Sequence, residues 1–388
     1  MADSSKLRNI TLLVSSTLTV MAGAIIAPAL PEISRNFSHL PNAELLSKLI
    51  LTLPALVIAL LAPVAGYFVD RSGRKKVLLF SLGLYALAGT TGAWLSNIYL
   101  ILAGRAMLGV AVGALMTSVV TLIGDFFEGD VRSRFMGYQA AFAGVGGLFF
   151  ISGGGLLADI SWRAPFWIYG FSLPVLAFAW WFVPEPEKPK PVQKPPMKGF
   201  DVFRAVPNAV YMVYLIAFFT AAVFYMVPVQ MPFMLSAMAG VSNTGVGFAI
   251  AFMNITAVTM ALNYGRVKQH LSFSGVMALV YFLIASGYFI ISQSHSYWMM
   301  VGGILVCGLG FGMQMANINL WLVSLAPVSM RGRLVGYLNS AIFLGMFLSP
   351  VLLQPLVNIS SLHQSFLLTG IILVLLGGTF CYYSCRKI

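Results

Sequence analysis

The sequence predicts an all-α membrane protein, with twelve transmembrane helices in two pseudo-symmetric six-helix bundles. Three observations predict it. The 388 residues are 59% hydrophobic and only 9% charged, against about 25% charged in a water-soluble domain. Apolar runs of roughly 18 residues or more recur along the chain, each long enough to cross a bilayer as a helix. Glycine and arginine positions of the first half return in the second at one fixed spacing.

The spans are expected near residues 10–31, 45–69, 77–95, 98–124, 134–158 and 163–183, then 208–235, 243–264, 273–292, 297–325, 334–357 and 363–384. Lys6 and Arg8 precede the first run, which is too long for a signal peptide and is followed at once by further spans. It reads as an uncleaved first helix. Pro28 and Pro31 are expected to end that helix, and Pro228 and Pro232 to kink the seventh. Of the 23 Lys and Arg residues, only Arg35, Lys48 and Arg163 fall in outer segments, and Arg105 is the only charge placed inside a span. The rest gather on the side of the two termini. That asymmetry predicts cytoplasmic termini. It also explains the net charge of +12 without a nucleic-acid partner.

The stretch 184–200, PEPEKPKPVQKPPMKGF, is rich in Pro and Lys and cannot continue a helix. It divides the chain into an N-terminal bundle (1–183), a cytoplasmic linker (184–207) and a C-terminal bundle (208–388). Gly104, Gly109 and Gly113 stand 199 residues before Gly303, Gly308 and Gly312. The same offset carries Arg132, Arg134 and Gly137 onto Arg331, Arg333 and Gly336, and Gly66 onto Gly265. Parallel repeats joined by such a linker point to alternating access, with a site between the repeats near the midplane.

Local motifs carry a family resemblance along the whole chain. GYFVDRSGRKK (66–76) matches the loop between helices 2 and 3 of the major facilitator superfamily. GRAMLGVAVGAL (104–115) matches that family's helix 4 motif, and SWRAPFWIYG (161–170) with VPEPE (183–187) resembles its fifth turn and sixth-span exit. With APALPEIS (27–34), the pattern most resembles the bacterial twelve-helix drug:proton antiporters. Gly137, Gly146, Gly154 and Gly155 fall where the antiporter glycines of span 5 belong, but Phe150-Ile151 stands in place of its Gly-Pro pair.

The charged loop reads as a gate. Asp70 at its own helix C-terminus meets partial negative charge, so it should serve another group. The resemblance implies the N-terminus of helix 11 near Arg333. Gly66 permits close helix approach, Gly73 a positive φ, and Arg71 and Arg74 a pairing with Asp125. Arg132, Arg134, Arg331 and Arg333 complete the expected gate. Lys75 and Lys76 set topology.

A buried Arg in hydrocarbon normally faces a cavity or is tied down. Arg105 therefore reads either as a substrate or coupling residue or as a brace on backbone carbonyls. Gln314, Asn317 and Trp321 share a face of span 10. With Gln139, Tyr225, Gln230, Asn254 and Asn339 they read either as cavity lining or as bridges between helices. Together with Phe224 and Met226 they describe an adaptable surface that favours a neutral, zwitterionic or anionic amphiphile. No acid lies deep in a span. A proton carrier would be Glu32, Asp159 or an Arg105 network, or there is none. His39, His270, His295 and His363 are placed in loops. Cys307, Cys381 and Cys385 form neither a disulfide framework nor a zinc site.

The expected function is secondary active transport of a small organic molecule across the bacterial inner membrane. Proton-coupled efflux of drugs or amphiphiles is the leading form. Narrow transport of an anionic metabolite or siderophore and a non-transporting sensor are the alternatives. No enzyme constellation, cofactor or metal site is expected. Partners would be the substrate, protons and membrane lipid, with the chain a monomer.

Overall fold

The structure, a computed structural model, describes residues 2–186, 207–327 and 330–385. The side chains of residues 2–4, 63–68, 70 and 133 lie outside the description. The described chain holds twelve helices long and apolar enough to cross a membrane. In chain order they are α1 (Ser5–Asn36), α2 (Ala43–Ser72), α3 (Arg74–Trp94), α4 (Ile98–Phe126), α5 (Gly129–Ile160) and α6 (Ala164–Phe182). The second bundle has α7 (Asn208–Ser236), α8 (Asn243–His270), α9 (Phe273–Ser292), α10 (Tyr297–Leu325), α11 (Arg331–Ile359) and α12 (Leu362–Cys385).

Hydropathy decides where these helices lie, and local chemistry trims their ends. Asn97 caps α4 by accepting from the Tyr99 amide, and Ser242, Ser272 and Ser296 cap α8, α9 and α10 in the same way. Gly73 separates α2 from α3 with φ +96° and ψ 138°, the positive φ expected of it. The continuous α-helix of the first span stops at Ala24, ahead of Pro28 and Pro31, as expected, but the span goes on past these prolines. They start a short 3-10 turn (Ala27–Ala29) and a resumed helix (Leu30–Asn36), because proline is tolerated where its missing N–H has no partner to lose. His270 and His363 also sit within helix ends rather than loops.

The two bundles repeat one another in their contacts as well as their residues. A side-chain carbon on Gly109 would lie 2.6 Å from the Pro54 carbonyl oxygen, and one on Gly308 would lie 2.5 Å from that of Met253. Gly104 packs on Thr91, and Gly303 touches Ile290. All four pairs are displaced by the same 199 residues. In each bundle the glycine-bearing fourth helix thus seats closely on the second and third, as small residues allow in membranes. Exposed Trp94, Trp167 and Trp298 lie toward one end of the bundle, and Trp180 and Trp181 toward the other. Such paired belts suit the two membrane interfaces.

Two seams join the bundles, α2 against α11 and α5 against α8. The first and last helices begin and finish at one end of the molecule, the termini end.

Candidate functional site

A cavity of about 250 Å³ lies between the bundles, walled by α1, α2, α4, α5, α7, α8 and α11. Its polar side chains are Thr19, Tyr225 and Asn254. Met116, Met253, Met346, Phe224 and Phe343 supply most of the adaptable surface. No Asp, Glu, Lys or Arg is among its lining residues. A second cavity of about 300 Å³ shares Ile58, Met116 and Phe343 with the first. It continues to Ala62, Thr121, Gly332, Gly336 and Asn339. The space therefore runs from the bundle centre toward the termini end.

The opposite end is shut by contacts that cross between bundles. Asp159, last but one in α5, accepts from the Asn243 amide at 2.7 Å and the Thr244 amide at 3.1 Å, and also from the Thr244 hydroxyl. A carboxylate thus sits on the N-terminus of α8, where both the orphan N–H groups and the helix dipole favour it. Glu32 on α1 accepts from Asn243 Nδ2 at 2.9 Å. On the other seam, Lys48 Nζ donates to Gln354 Oε1 at 2.9 Å and to Glu44 Oε1. It also stands 4.8 Å from the centre of the Phe233 ring. Lys48 is fully buried, so Arg105 is not the only charge inside a span.

Arg105 is also fully buried, but within the first bundle. Its Nε donates to the Ile50 carbonyl at 2.9 Å, and its Nη2 to the Ala22 carbonyl at 2.8 Å and the Tyr169 hydroxyl at 3.0 Å. The guanidinium lies 4.9 Å from the Tyr169 ring centre. It braces α1, α2 and α6 together and does not line the central cavity. Tyr225, from the other bundle, sets its hydroxyl against Gly23, next in the chain to the Ala22 carbonyl that Arg105 holds.

The remaining expected residues divide by helix rotation. Tyr225 and Asn254 face the central cavity and Asn339 the second one. Asn317 accepts from the Tyr264 hydroxyl at 3.1 Å and donates to the Phe273 carbonyl at 3.1 Å. Trp321 stacks on Phe273 with ring centres 5.8 Å apart. Both therefore bridge helices of the second bundle. Gln314 is buried on the same helix, and Gln139 is partly buried on α5; neither is on the walls of the two cavities. Gln230 is fully buried, with neither amide atom hydrogen bonded among the described residues.

At the termini end, Arg74 forms an ion pair with Asp125, as expected. Arg71, Arg132, Arg134, Arg331 and Arg333 are exposed, with Arg132 against Gly124 at the end of α4. The side chain of Asp70, and residue 66, lie outside the described set, so the expected contact with α11 falls there too. Glu185 was not singled out in the sequence. Its carboxylate accepts from the backbone amides of Arg74 at 2.7 Å and Lys75 at 3.1 Å, capping α3. VPEPE was the available signal, an acid just after a helix exit. Among the described residues no group of His, Cys, Asp and Glu could hold a metal ion.

Comparison with known proteins places this architecture. The family model described as Major Facilitator Superfamily matches residues 12–350 and 213–386. The chain is 25% identical over 368 residues to the Bacillibactin exporter of Bacillus subtilis (strain 168), covering 91% of this chain and 90% of that one. It is 27% identical over 340 residues to the class D tetracycline resistance protein of Salmonella ordonez, covering 84% of each. Among solved structures, a bacterial homolog of the human lysosomal transporter Spinster superposes with TM-score 0.80 at 16% identity, covering 99% of this chain and 97% of that one. A D-xylose-proton symporter superposes with TM-score 0.79 at 15% identity, covering 96% of each.

Proposed function

The chain belongs to the Major Facilitator Superfamily of membrane transporters, and on that premise we propose that it exports a small, uncharged amphiphile from a bacterial cell by alternating access, driven by protons. The carrying observation is the central cavity, which sits between the bundles and is walled by Met, aromatic and a few neutral polar groups with no charged lining. A desolvated charge would be costly there, while Met and aromatic walls adapt to varied apolar shapes. The full-length likeness to a bacillibactin exporter and a tetracycline resistance protein supports the outward direction. Termini on the cytoplasmic side of the inner membrane follow from the Lys and Arg distribution. The closed end is then the outer one, and the cavity faces inward.

In this reading the substrate binds among Tyr225, Asn254 and Thr19. The bundles rock about it, parting Asp159 from α8 while Asp70 closes the inner loops. Glu32 and Asp159 are the candidate proton carriers, since both lie where the bundles separate. Narrow export of a single metabolite is a second reading, favoured by the length of the bacillibactin-exporter match. Retention of an anion by Arg105 is not supported, because that guanidinium lies behind the cavity wall with Nε and Nη2 engaged, although its buried Nη1 has no hydrogen-bond partner among the described residues.

The test is flux into proteoliposomes under an imposed pH gradient, across neutral, anionic and cationic amphiphiles. Neutral compounds should move, and the rate should rise with the gradient. Flux indifferent to the gradient defeats proton coupling. Preference for strongly charged compounds defeats the uncharged-cavity assignment, and a single accepted compound selects the narrow exporter. A non-transporting sensor would move none of them.

A further inference from the structure

Lys48 is the buried charge that the transport reading leaves unused. Its two contacts in the second bundle, Gln354 on α11 and Phe233 on α7, are with helices that must move away when the closed end opens. Its third partner, Glu44, is on its own helix and is 41% exposed. Gln354 is held in turn, donating from Nε2 to Asn358 Oδ1 at 3.0 Å and lying 3.4 Å from Glu44 Oε1. When the seam opens the ammonium therefore keeps Glu44 but loses both cross-bundle contacts, which water must replace.

The internal repeat shows how unusual this arrangement is. Lys48 and Gln354 stand at the positions equivalent, by the offset of 199, to Gly247 and Gly155. Those two glycines form the heart of the other seam. A side-chain carbon on Gly247 would lie 3.2 Å from the Gly155 Cα, and one on Gly155 would lie 2.6 Å from the Asn243 carbonyl oxygen. One seam closes by backbone contact. Its counterpart closes over a cation and an amide.

We propose that Lys48 and Gln354 form a releasable latch that keeps the closed end from locking. A buried ammonium loses its hydration on closure, and an apolar pair in its place often gives a tighter seal. The bridge to Gln354 offsets that loss enough for closure, and the charge favours rehydration on opening. Lys48 is thus a positioning residue that sets the ratio of closed to open states, and substrate need not touch it. This inference rests on alternating access but not on the identity of the substrate or the coupling ion.

The experiment is a distance measurement between spin labels on cysteines introduced at His39 and Ile359, with Cys307, Cys381 and Cys385 replaced, in proteoliposomes. Q354L removes the acceptor across the seam and leaves the ammonium with Glu44 alone, and its closed-to-open ratio should fall about tenfold or more, the effect of a lost hydrogen bond to a charged group. The double variant K48M/Q354L should do the opposite, raising the ratio above wild type and slowing flux. The exchange K48Q/Q354K keeps the cation near Glu44 and should restore the wild-type ratio, which serves if Q354L fails to insert. Q354L with wild-type distances, K48M/Q354L opening as Q354L does, or an exchange that opens like Q354L, would overturn the latch. A single distance population for the wild type, whatever the pH or added amphiphile, would overturn alternating access and the latch with it.

Discussion

The α5–α8 seam and the α2–α11 seam occupy equivalent places, yet they hold the same end shut by different means. In the first, Gly155 and Gly247 bring two backbones together and Asp159 tops the joint by capping α8. In the second, Lys48 donates to Gln354 and bridges the helices through one buried charge. Close packing in a membrane is short-ranged and insensitive to salt. A buried charge is sensitive to whatever water or partner reaches it. A duplicated bundle has thus given one seam a fixed fit and the other a conditional one.

The comparison breaks most readily at the glycine contact. Gly155→Val places side-chain atoms against the Asn243 carbonyl, an overpacking cost of about 1–3 kcal/mol or more. Flux should fall by roughly a hundredfold, with the label distance lengthened; near wild-type flux would mean the seam is not closed by contact. Arg105→Ala is expected to act next most strongly, because Arg105 ties Ala22 on the α1 side to Ile50 beside Lys48. It leaves the buried Ile50 carbonyl, which faces Pro54 one turn on, without its donor at about 1–3 kcal/mol, while the Ala22 carbonyl keeps the Tyr169 hydroxyl. Its signature is a lower melting temperature in detergent, and an unchanged melt would remove the brace.

Asp159→Asn tests the cap. It keeps the shape but removes the charge from the α8 N-terminus, worth about 0.5–2 kcal/mol. The closed-to-open ratio should drop about fivefold. Glu44→Gln should do least. Glu44 is 41% exposed while Lys48 is buried, and a Gln there keeps a neutral acceptor for the ammonium, so solvent screening holds the loss to about 1 kcal/mol. A shift as large as that of Q354L would move the centre of the latch from α11 to Glu44.

Much of this was legible in the sequence because hydropathy and repeat spacing are local or periodic. The twelve spans, the positive φ at Gly73 and the Arg74–Asp125 pair follow from residues close in the chain or from short motifs. What stayed hidden depends on helix rotation and on distant partners. Asn317 and Asn254 are both amides in apolar helices, and only the neighbours show that one bridges Tyr264 to Phe273 while the other faces the cavity. Lys48 lies near the start of its span and reads as an interfacial charge. Its partner Gln354 stands 306 residues away. Arg105 offered two roles, and the carbonyls that occupy it belong to helices the sequence could not orient.

Glu185 has a practical consequence for dividing the molecule. It follows the last residue of α6 by only three positions and would ordinarily be trimmed with the connecting segment. Yet it is the acceptor for the first two amides of α3. If the protein is severed and its halves are co-expressed, a break after residue 186 leaves that acceptor on the first fragment. A break before Pro184 leaves α3 without it. Fragment complementation should therefore depend on which side of one carboxylate the cut falls.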